Sequence, residues 1–354
     1  MSDQNISLHL DDFYKEQFND SNLTSYFDLD HGTLSCEPIP LSEAVNISVC
    51  AFYILLILLA VPGNLTVGLV IRLSKHKVLP YDVYLFNLML ADLLMALTLP
   101  FSAVAVVRGW LFGDVACKLV SVVKEVNFYS GILFLVCISV DRYKAVLHPR
   151  QTRQAGCSVA ICVGVWALAL VLSLPAIYNE SYRPLDEGPE VCTERFHPDS
   201  ADTWRLAVRV MSHVFGFLLP LVIMLLCYSR TALGLQRTSF PRHRPMRVIV
   251  AVVLAFLLCW APFHVAVGLD TVLRSGLVEY SCDTRTAVNV VMFFTENLGL
   301  LHCCVNPVLY AFVVKKYRRS FTQLLQRSGL LRCCTETQGN TSPSQTSDIT
   351  SSAV

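Results

Sequence analysis

Long apolar runs separated by short polar loops dominate the chain. Seven of these runs hold about 20 or more residues with few charges, which is enough for an α-helix rising about 1.5 Å per residue to cross a bilayer core of about 30 Å. The runs, numbered here as spans 1 to 7, are residues 45–71, 82–107, 115–140, 157–178, 206–229, 247–269 and 287–314. A soluble protein rarely places so many such helices in succession. The pattern therefore predicts an all-α membrane protein, a seven-transmembrane helix bundle.

The polar segments at the two ends complete the predicted organisation. After span 7, apolar residues recur at helical spacing between basic ones, which predicts a short amphipathic eighth helix lying on the membrane surface. The predicted segments are an extracellular tail at 1–44, the bundle at 45–314, the surface helix at 315–329 and a Ser/Thr-rich tail at 330–354.

Composition agrees with a membrane protein. Hydrophobic residues make up 54% of the chain and charged residues 16%, against about 25% charged residues in an ordinary soluble domain. The mean hydropathy is +0.51. The net charge of +1 and the lack of a long basic block argue against nucleic acid as a partner.

The distribution of Lys and Arg predicts the orientation. The loops that follow spans 1, 3 and 5 hold twelve of these residues, whereas the loops on the opposite side hold six. Because basic residues favour the cytoplasmic side, we expect the N-terminus outside and the C-terminus in the cytoplasm of a plasma-membrane protein.

Four of the fourteen cysteines fall on the predicted outside, where conditions are oxidising. Four cysteines allow three pairings. Cys117 tops span 3 and Cys192 lies in the loop between spans 4 and 5, while Cys36 and Cys282 precede spans 1 and 7, which are neighbours in a ring of helices. We favour Cys117–Cys192 and Cys36–Cys282, with a free cysteine as the alternative.

The N-terminal tail is acidic and carries interleaved aromatic residues. This composition favours an arm that captures a basic partner by electrostatic attraction; a solvated tail with no binding role is the alternative. The candidate contacts are Asp11, Asp12, Tyr14, Tyr26 and Asp28, of which the two tyrosines are candidates for sulfation. Glycosylation sequons on the outside predict glycans at Asn5, Asn19, Asn22 and Asn179.

The C-terminal tail suggests regulation. Cys333 and Cys334 follow the predicted surface helix and are candidates for palmitoylation. A flexible Ser/Thr-rich segment is a good substrate for protein kinases, although a simple linker is the alternative. The candidate phosphorylation sites are Thr341, Ser342, Ser344, Thr346, Ser347, Ser351 and Ser352. The final Ser-Ala-Val is a short match to ligands of PDZ domains.

Ionisable residues inside the spans are costly and therefore functional candidates. Most of them cluster toward the outside and predict a polar pocket there, formed by Lys124, Glu125, Arg209 and Glu296 with Asp270 and Arg285 at the loop edges. Asp92 lies deeper, where Asn127 and Asn306 could face it as a hydrated cluster or a cation site. Prolines within the spans predict kinks that suit a bundle moving between two states.

These features together resemble a rhodopsin-like G-protein-coupled receptor. The matching motifs are Gly63-Asn64, Leu88 to Asp92, Cys117, Asp141-Arg142-Tyr143, Trp166, Pro220, Cys259-Trp260-Ala261-Pro262 and Asn306-Pro307-Val308-Leu309-Tyr310. Within that family, Thr98-Leu99-Pro100, Trp110-Leu111-Phe112-Gly113, the Cys36 and Cys282 pair and Glu296 look like chemokine receptors. The stretch from Lys124 to Ile132, and Asp270-Thr271 with Arg274, are most similar to the interleukin-8 receptors, CXC chemokine receptor types 1 and 2.

The resemblance implies a two-part interface with a basic CXC chemokine. The acidic tail would hold the chemokine core, and the outer pocket would take its N-terminus, which in this subfamily often carries Glu-Leu-Arg. The implied pocket residues are Lys124, Arg205, Arg209, Asp270, Arg274, Arg285 and Glu296.

The resemblance also implies signalling through an inhibitory-class G protein and, from it, neutrophil chemotaxis. The implied activation and coupling residues are Asp92, Asp141, Arg142, Tyr143, Tyr228, Trp260, Pro262, Asn306, Pro307 and Tyr310. No cofactor is expected except a sodium ion at Asp92, where Gly131 stands in place of the sodium-ligating Ser of many relatives.

Other functions fit less well. An opsin needs a Lys in span 7, and residues 287–314 contain none. Transporter repeats, a channel filter and the motif of an intramembrane enzyme are not found in the sequence. Two alternatives stay open. One is a decoy receptor that internalises chemokine without G-protein signalling, although such receptors usually have an altered Asp-Arg-Tyr motif. The other is a receptor for a different peptide ligand.

Overall fold

The computed structural model describes residues 42–73, 78–147, 155–183, 189–236, 243–274 and 281–313. Several predictions concern residues outside these ranges. They are the tail contacts Asp11, Asp12, Tyr14, Tyr26 and Asp28, the sequons at Asn5, Asn19 and Asn22, Cys36, the surface helix at 315–329, Cys333 and Cys334, and the phosphorylation sites from Thr341 to Ser352.

Seven helical spans in the described part of the chain are long and apolar enough to cross a membrane, as predicted. The helices that form them are α1 (Glu43–Leu73), α2 (Pro80–Arg108), α3 (Gly113–Leu147), α4 (Ala155–Leu172), α5 (Ala201–His213), α6 (Leu219–Gln236), α7 (His243–Arg274), α8 (Cys282–Gly299) and α9 (His302–Val313). Span 5 joins α5 to α6 through a π-helical turn, Val214–Leu218, and span 7 consists of α8 and α9. Most helices extend beyond the apolar runs, by seven residues at the ends of spans 3 and 5, whereas α4 ends at Leu172, six residues before the end of its run.

Span 3 is the centre of the bundle. It packs against spans 2, 4, 5 and 6, while span 1 packs against spans 2 and 7. One cluster of buried apolar side chains links spans 1 to 6, and a second links the first part of span 1 and the second half of span 2 to residues 300–304 of span 7. Leucines and valines on the opposite helix faces point outward, as expected where lipid is the solvent.

Pro307 leaves one backbone carbonyl of span 7 without its helical partner. Proline has no N–H to give to the carbonyl four residues earlier, here that of Cys303. The Nδ2 atom of Asn64 donates to that carbonyl across the span 1 interface at 2.9 Å. Gly63 permits the close approach, since a Cβ there would lie 3.1 Å from the Pro307 ring. The sequence predicted a kink at a proline in this span, and the structure has a turn at residues 300–301, ahead of Pro307, that separates α8 from α9.

The π-helical turn in span 5 has a similar origin. Pro220 cannot donate to the carbonyl of Gly216, so the ladder widens just before it. A Cβ at Gly216 would stand 2.5 Å from the ring of Phe128, so glycine is required for span 5 to lie against span 3 at this height.

A short hairpin covers the end of the bundle at which span 1 begins, called the outer end here. Strand β1 (Asn179–Tyr182) pairs antiparallel with β2 (Val191–Glu194). Cys192 in β2 is disulfide-bonded to Cys117 in the first turns of α3, with the two Cα atoms 5.6 Å apart. The hairpin is thereby fixed over the outer end of span 3.

A side-chain hydrogen bond between spans 2 and 4 allows a test of the fold. Nε1 of Trp166 donates to Oδ1 of Asn87 at 2.9 Å. We expect Trp166→Phe, which keeps an aromatic ring beside Phe134, to lower the free energy of unfolding by about 0.6 to 1.7 kcal/mol. Thermal unfolding of the purified protein in detergent measures this loss. Val163→Ala on the same helix, 64% exposed, is the control; equal losses in both variants would contradict the contribution of this hydrogen bond.

Candidate functional site

The outer half of span 5 turns a polar face toward the bundle. Arg205, Arg209 and His213 recur every fourth residue along α5 and share one side of it. Trp204 and Val210 lie on other sides and are exposed. The helix therefore presents two guanidinium groups and an imidazole on one face.

A buried ion pair links span 5 to span 6. Nη2 of Arg209 lies 2.6 Å from Oδ2 of Asp270, whose side chain is completely buried, whereas 18% of the Arg209 side chain is exposed. Nη1 of Arg209 also donates to Oγ1 of Thr271 at 3.1 Å. Asp270 therefore serves as the internal partner of Arg209 in this conformation, while the guanidinium keeps a partly open edge.

His213 strengthens the same contact one turn deeper. Its Nε2 lies 3.0 Å from the carbonyl oxygen of His264 in span 6, and its Nδ1 lies 2.8 Å from the carbonyl oxygen of Arg209. The outer ends of spans 5 and 6 are thus held by polar contacts as well as by packing.

A second cluster of charged side chains lies across the pocket. Lys124 and Glu125 on span 3 are half-buried, and Glu296 on span 7 is exposed. Glu296 is close enough to interact electrostatically with Lys124, with Glu125 and with Tyr53 of span 1. The structure therefore brings together the predicted pocket residues of spans 3 and 7.

The remaining predicted pocket residues lie nearer the rim. Arg205 contacts Asp202 of its own helix at 3.4 Å. Arg285 is in the first turn of α8 and is half-buried. Arg274 is the last residue of α7, and its side chain lies outside the described part of the structure.

The predicted Cys117–Cys192 disulfide is present. Cys282 is disulfide-bonded as well, and its partner lies outside the described residues, so the pairing with Cys36 stays a prediction. Asn179 is the first residue of β1, and its glycosylation also stays a prediction.

Beneath the pocket, Trp260 of span 6 packs against spans 3 and 7. Its ring centroid lies 4.6 Å from that of Phe128 and 5.4 Å from that of His302. A Cβ at Gly299 would stand 3.0 Å from the Trp260 ring, so movement of span 7 and of this indole cannot be independent. Pro262 lies within α7 two residues later, where it can bend span 6.

Asp92 is fully buried below Trp260 and faces span 7. Its Oδ2 accepts from Nδ2 of Asn306 at 3.1 Å, and its Oδ1 lies 3.7 Å from Nε2 of His302. The Asn127 amide is also buried and lies close to Asp92, but neither of its polar atoms has a hydrogen bond of good geometry among the described residues. Of the two predicted neighbours of Asp92, Asn306 is therefore bonded to it.

The side chains at this site partly fit a sodium ion. Oδ1 of Asp92 and Oδ1 of Asn127 are buried oxygens without a hydrogen bond in the described structure, and hard cations prefer oxygen ligands. Gly131 adds no oxygen, and the third neighbour, His302, presents a nitrogen. Asp92 and Asn127 would hold such an ion, which stays a prediction.

At the inner end of span 3, Arg142 contacts two groups. Its Nη2 lies 2.8 Å from Oδ2 of Asp141, and its guanidinium carbon lies 3.9 Å from the ring centroid of Tyr81 in span 2. Tyr143 is half-buried and Tyr228 on α6 is exposed. Tyr310 belongs to α9, but its side chain is outside the described residues.

Sequence reasoning missed Tyr81 and the direct pairing of Arg209 with Asp270, and it named Thr271 only as part of the family resemblance. An aromatic residue at the start of span 2 does not by itself predict a contact with Arg142, because the two residues are 61 positions apart in the sequence. Placing Arg209 and Asp270 on adjacent spans at the same depth would have indicated an ion pair, since opposite charges at low dielectric attract strongly.

Comparison with known proteins gives a consistent result. Residues 63–310 match the family of the 7 transmembrane receptor (rhodopsin family). The chain is 43% identical over 325 residues to C-X-C chemokine receptor type 1 of Mus musculus, covering 91% of each protein. It is 43% identical over 320 residues to the type 1 receptor of Homo sapiens, covering 89% of this chain and 90% of that protein. With C-X-C chemokine receptor type 2 of Gorilla gorilla gorilla it shares 44% identity over 300 residues, 84% of each.

The ion pair between spans 5 and 6 leads to a stability test. Arg209→Gln deprives a fully buried carboxylate of its guanidinium, so we expect a loss of about 3 kcal/mol in the free energy of unfolding. Adding Asp270→Asn should recover part of that loss, because the uncompensated charge is gone. A double-mutant cycle on thermal unfolding measures the coupling, and strictly additive losses would contradict it.

Proposed function

The chain belongs to the rhodopsin family of seven-transmembrane receptors and, within it, to the chemokine receptors, and we propose that it binds CXC chemokines and activates an inhibitory-class G protein. The observation that carries the proposal is the 43–46% identity to type 1 and type 2 C-X-C chemokine receptors over most of the chain. The family implies a multi-pass protein of the plasma membrane that transmits a signal, with a chemokine and a G protein as partners.

The charges of the outer pocket support a ligand with an acidic and a basic group. We propose that a Glu-Leu-Arg chemokine places its carboxylate on the open edge of Arg209, while Asp270 holds the guanidinium from behind. Glu296, the exposed acid on the far side, would take the basic group. Lys124, Arg205, Arg274 and Arg285 would add positive potential, and the acidic tail would hold the chemokine core.

The contacts between spans support a route for the signal. A ligand that shifts Arg209 acts directly on span 6, because Asp270 and Thr271 belong to α7. Span 6 also carries Trp260, which packs against Phe128 and His302. From there the Asp92–Asn306 hydrogen bond leads toward the inner end of span 7. We propose that Arg142 is released there to admit the G protein, with Tyr228 and Tyr310 rearranging.

Other partners and outcomes belong to the same proposal. Receptor kinases and arrestin would act on the Ser/Thr-rich tail, and a PDZ protein would bind the C-terminus. Neutrophil chemotaxis is the expected cellular response. The N-terminus is expected outside the cell.

Nucleotide exchange tests the ligand and the coupling together. Membranes that contain the receptor and an inhibitory-class G protein are challenged with CXC chemokines that carry Glu-Leu-Arg and with others that lack it. We expect exchange with the first group, and we expect Arg209→Glu to weaken potency about 10-fold or more, since a charge-assisted contact becomes repulsive.

The control for that experiment is Lys118→Glu, which changes a cation paired with Asp114 on the outer surface of α3. It should leave potency within about 3-fold of the wild type, as surface ion pairs contribute little. Equal losses in both variants would contradict a specific role of Arg209. Uptake of chemokine without exchange would replace the signalling proposal with the decoy function.

Replacing sodium tests the Asp92 site. Because Gly131 contributes no oxygen, we expect exchange without ligand to change little when NaCl is replaced by choline chloride. Gly131→Ser supplies a hydroxyl where a Cβ would lie 3.9 Å from His302 and Leu88, and it should make exchange clearly sodium-dependent. Adding Asp92→Asn to that variant should abolish the dependence. A strong sodium effect on the wild type would instead show that Asp92 and Asn127 suffice.

A further inference from the structure

The position of Tyr81 beside Arg142 has a consequence for resting activity. Tyr81 is in the first turn of α2, which starts at Pro80 and is capped where the backbone N–H of Leu79 donates to Oδ2 of Asp82 at 3.1 Å. The cap and the proline fix the backbone on both sides of Tyr81. The ring is therefore presented to span 3 by a rigid helix start.

The Arg142 guanidinium depends on that ring as well as on Asp141. Its Nη2 is bonded to Asp141, but its Nε is buried and has no hydrogen-bond acceptor among the described residues. The guanidinium carbon lies 3.9 Å from the Tyr81 ring centroid, well within the range of a cation–π interaction. With 24% of the Arg142 side chain exposed, solvent screens this attraction only in part.

We propose that Tyr81 is a positioning residue that holds Arg142 in its resting place and limits activity in the absence of ligand. The inference rests on the proposed coupling to a G protein. Asp141 precedes Arg142 in the same helix, so their salt bridge lies within span 3 and does not connect it to another span. The Tyr81 contact connects Arg142 to span 2, and releasing the arginine requires that this contact be broken.

Substitutions at position 81 distinguish the effect of the aromatic ring face from the effect of side-chain volume. Tyr81→Phe keeps the ring, so nucleotide exchange without ligand should match the wild type. Tyr81→Leu keeps an apolar side chain but removes the π system, and exchange should rise about 3- to 10-fold at equal surface expression, as the resting population loses a partly buried cation–π contact. Phe86→Leu, which removes an exposed aromatic from the same helix, is the control and should have no effect.

A fluorinated series covers the case in which Tyr81→Leu does not fold. Phenylalanines with one, two or three ring fluorines at position 81 keep nearly the same shape and progressively weaken the negative face of the ring. Exchange without ligand should rise stepwise along the series. A flat series, or a Leu variant equal to the wild type, would overturn the role of Tyr81 and leave the proposed function intact.

A readout without G protein separates the two proposals. If no chemokine stimulates the wild type, the proposed function fails, and amide hydrogen exchange of the receptor alone decides about Tyr81. Faster amide hydrogen exchange in residues 80–86 and 139–146 when position 81 holds trifluorophenylalanine than when it holds Phe would support the contact between spans 2 and 3. Equal hydrogen-exchange rates in the two variants would exclude it.

Discussion

The interior of a bilayer offers no water to a peptide group, and this constraint shapes the whole receptor. Every N–H and C=O within the membrane has to find a partner inside the protein, so the chain crosses as helices. Where proline interrupts a helix, another group must compensate. Asn64 does so for the Cys303 carbonyl, and the ladder widens into a π-helical turn before Pro220. The places where the bundle can bend are therefore the places where its helical ladder is already broken.

The same constraint concentrates charge at the two ends. The outer group, centred on Arg209 and Asp270, spans the contact between spans 5 and 6. The inner group, centred on Arg142, lies where spans 2 and 3 meet. Between them stand Trp260, which lines a small cavity together with Phe128, His302 and Asn306, and the buried Asp92–Asn306 bond. Because Trp260 of span 6 contacts Phe128 of span 3 and His302 of span 7, a shift of span 6 alters its contacts with both neighbouring spans.

The spans could be predicted from the sequence because length and apolarity are local properties. The Cys117–Cys192 bond could be predicted because topology put few cysteines on one side. Contacts between side chains that are far apart in the sequence could not be predicted in this way. Arg209 and Asp270 both looked like ligand contacts, since sequence reveals depth but not whether two charges meet. The turn between α8 and α9 at residues 300–301 could not be located from the sequence, which predicted only that a proline would kink span 7.

The disulfide between Cys117 and Cys192 also bears on how the receptor is made. The two cysteines lie 75 residues apart, with the rest of span 3 and the whole of span 4 between them. If only one of these two spans crossed the membrane, the sulfurs would lie on opposite sides and could not meet. The bond is therefore incompatible with a topology in which span 3 is inserted without span 4, or span 4 without span 3.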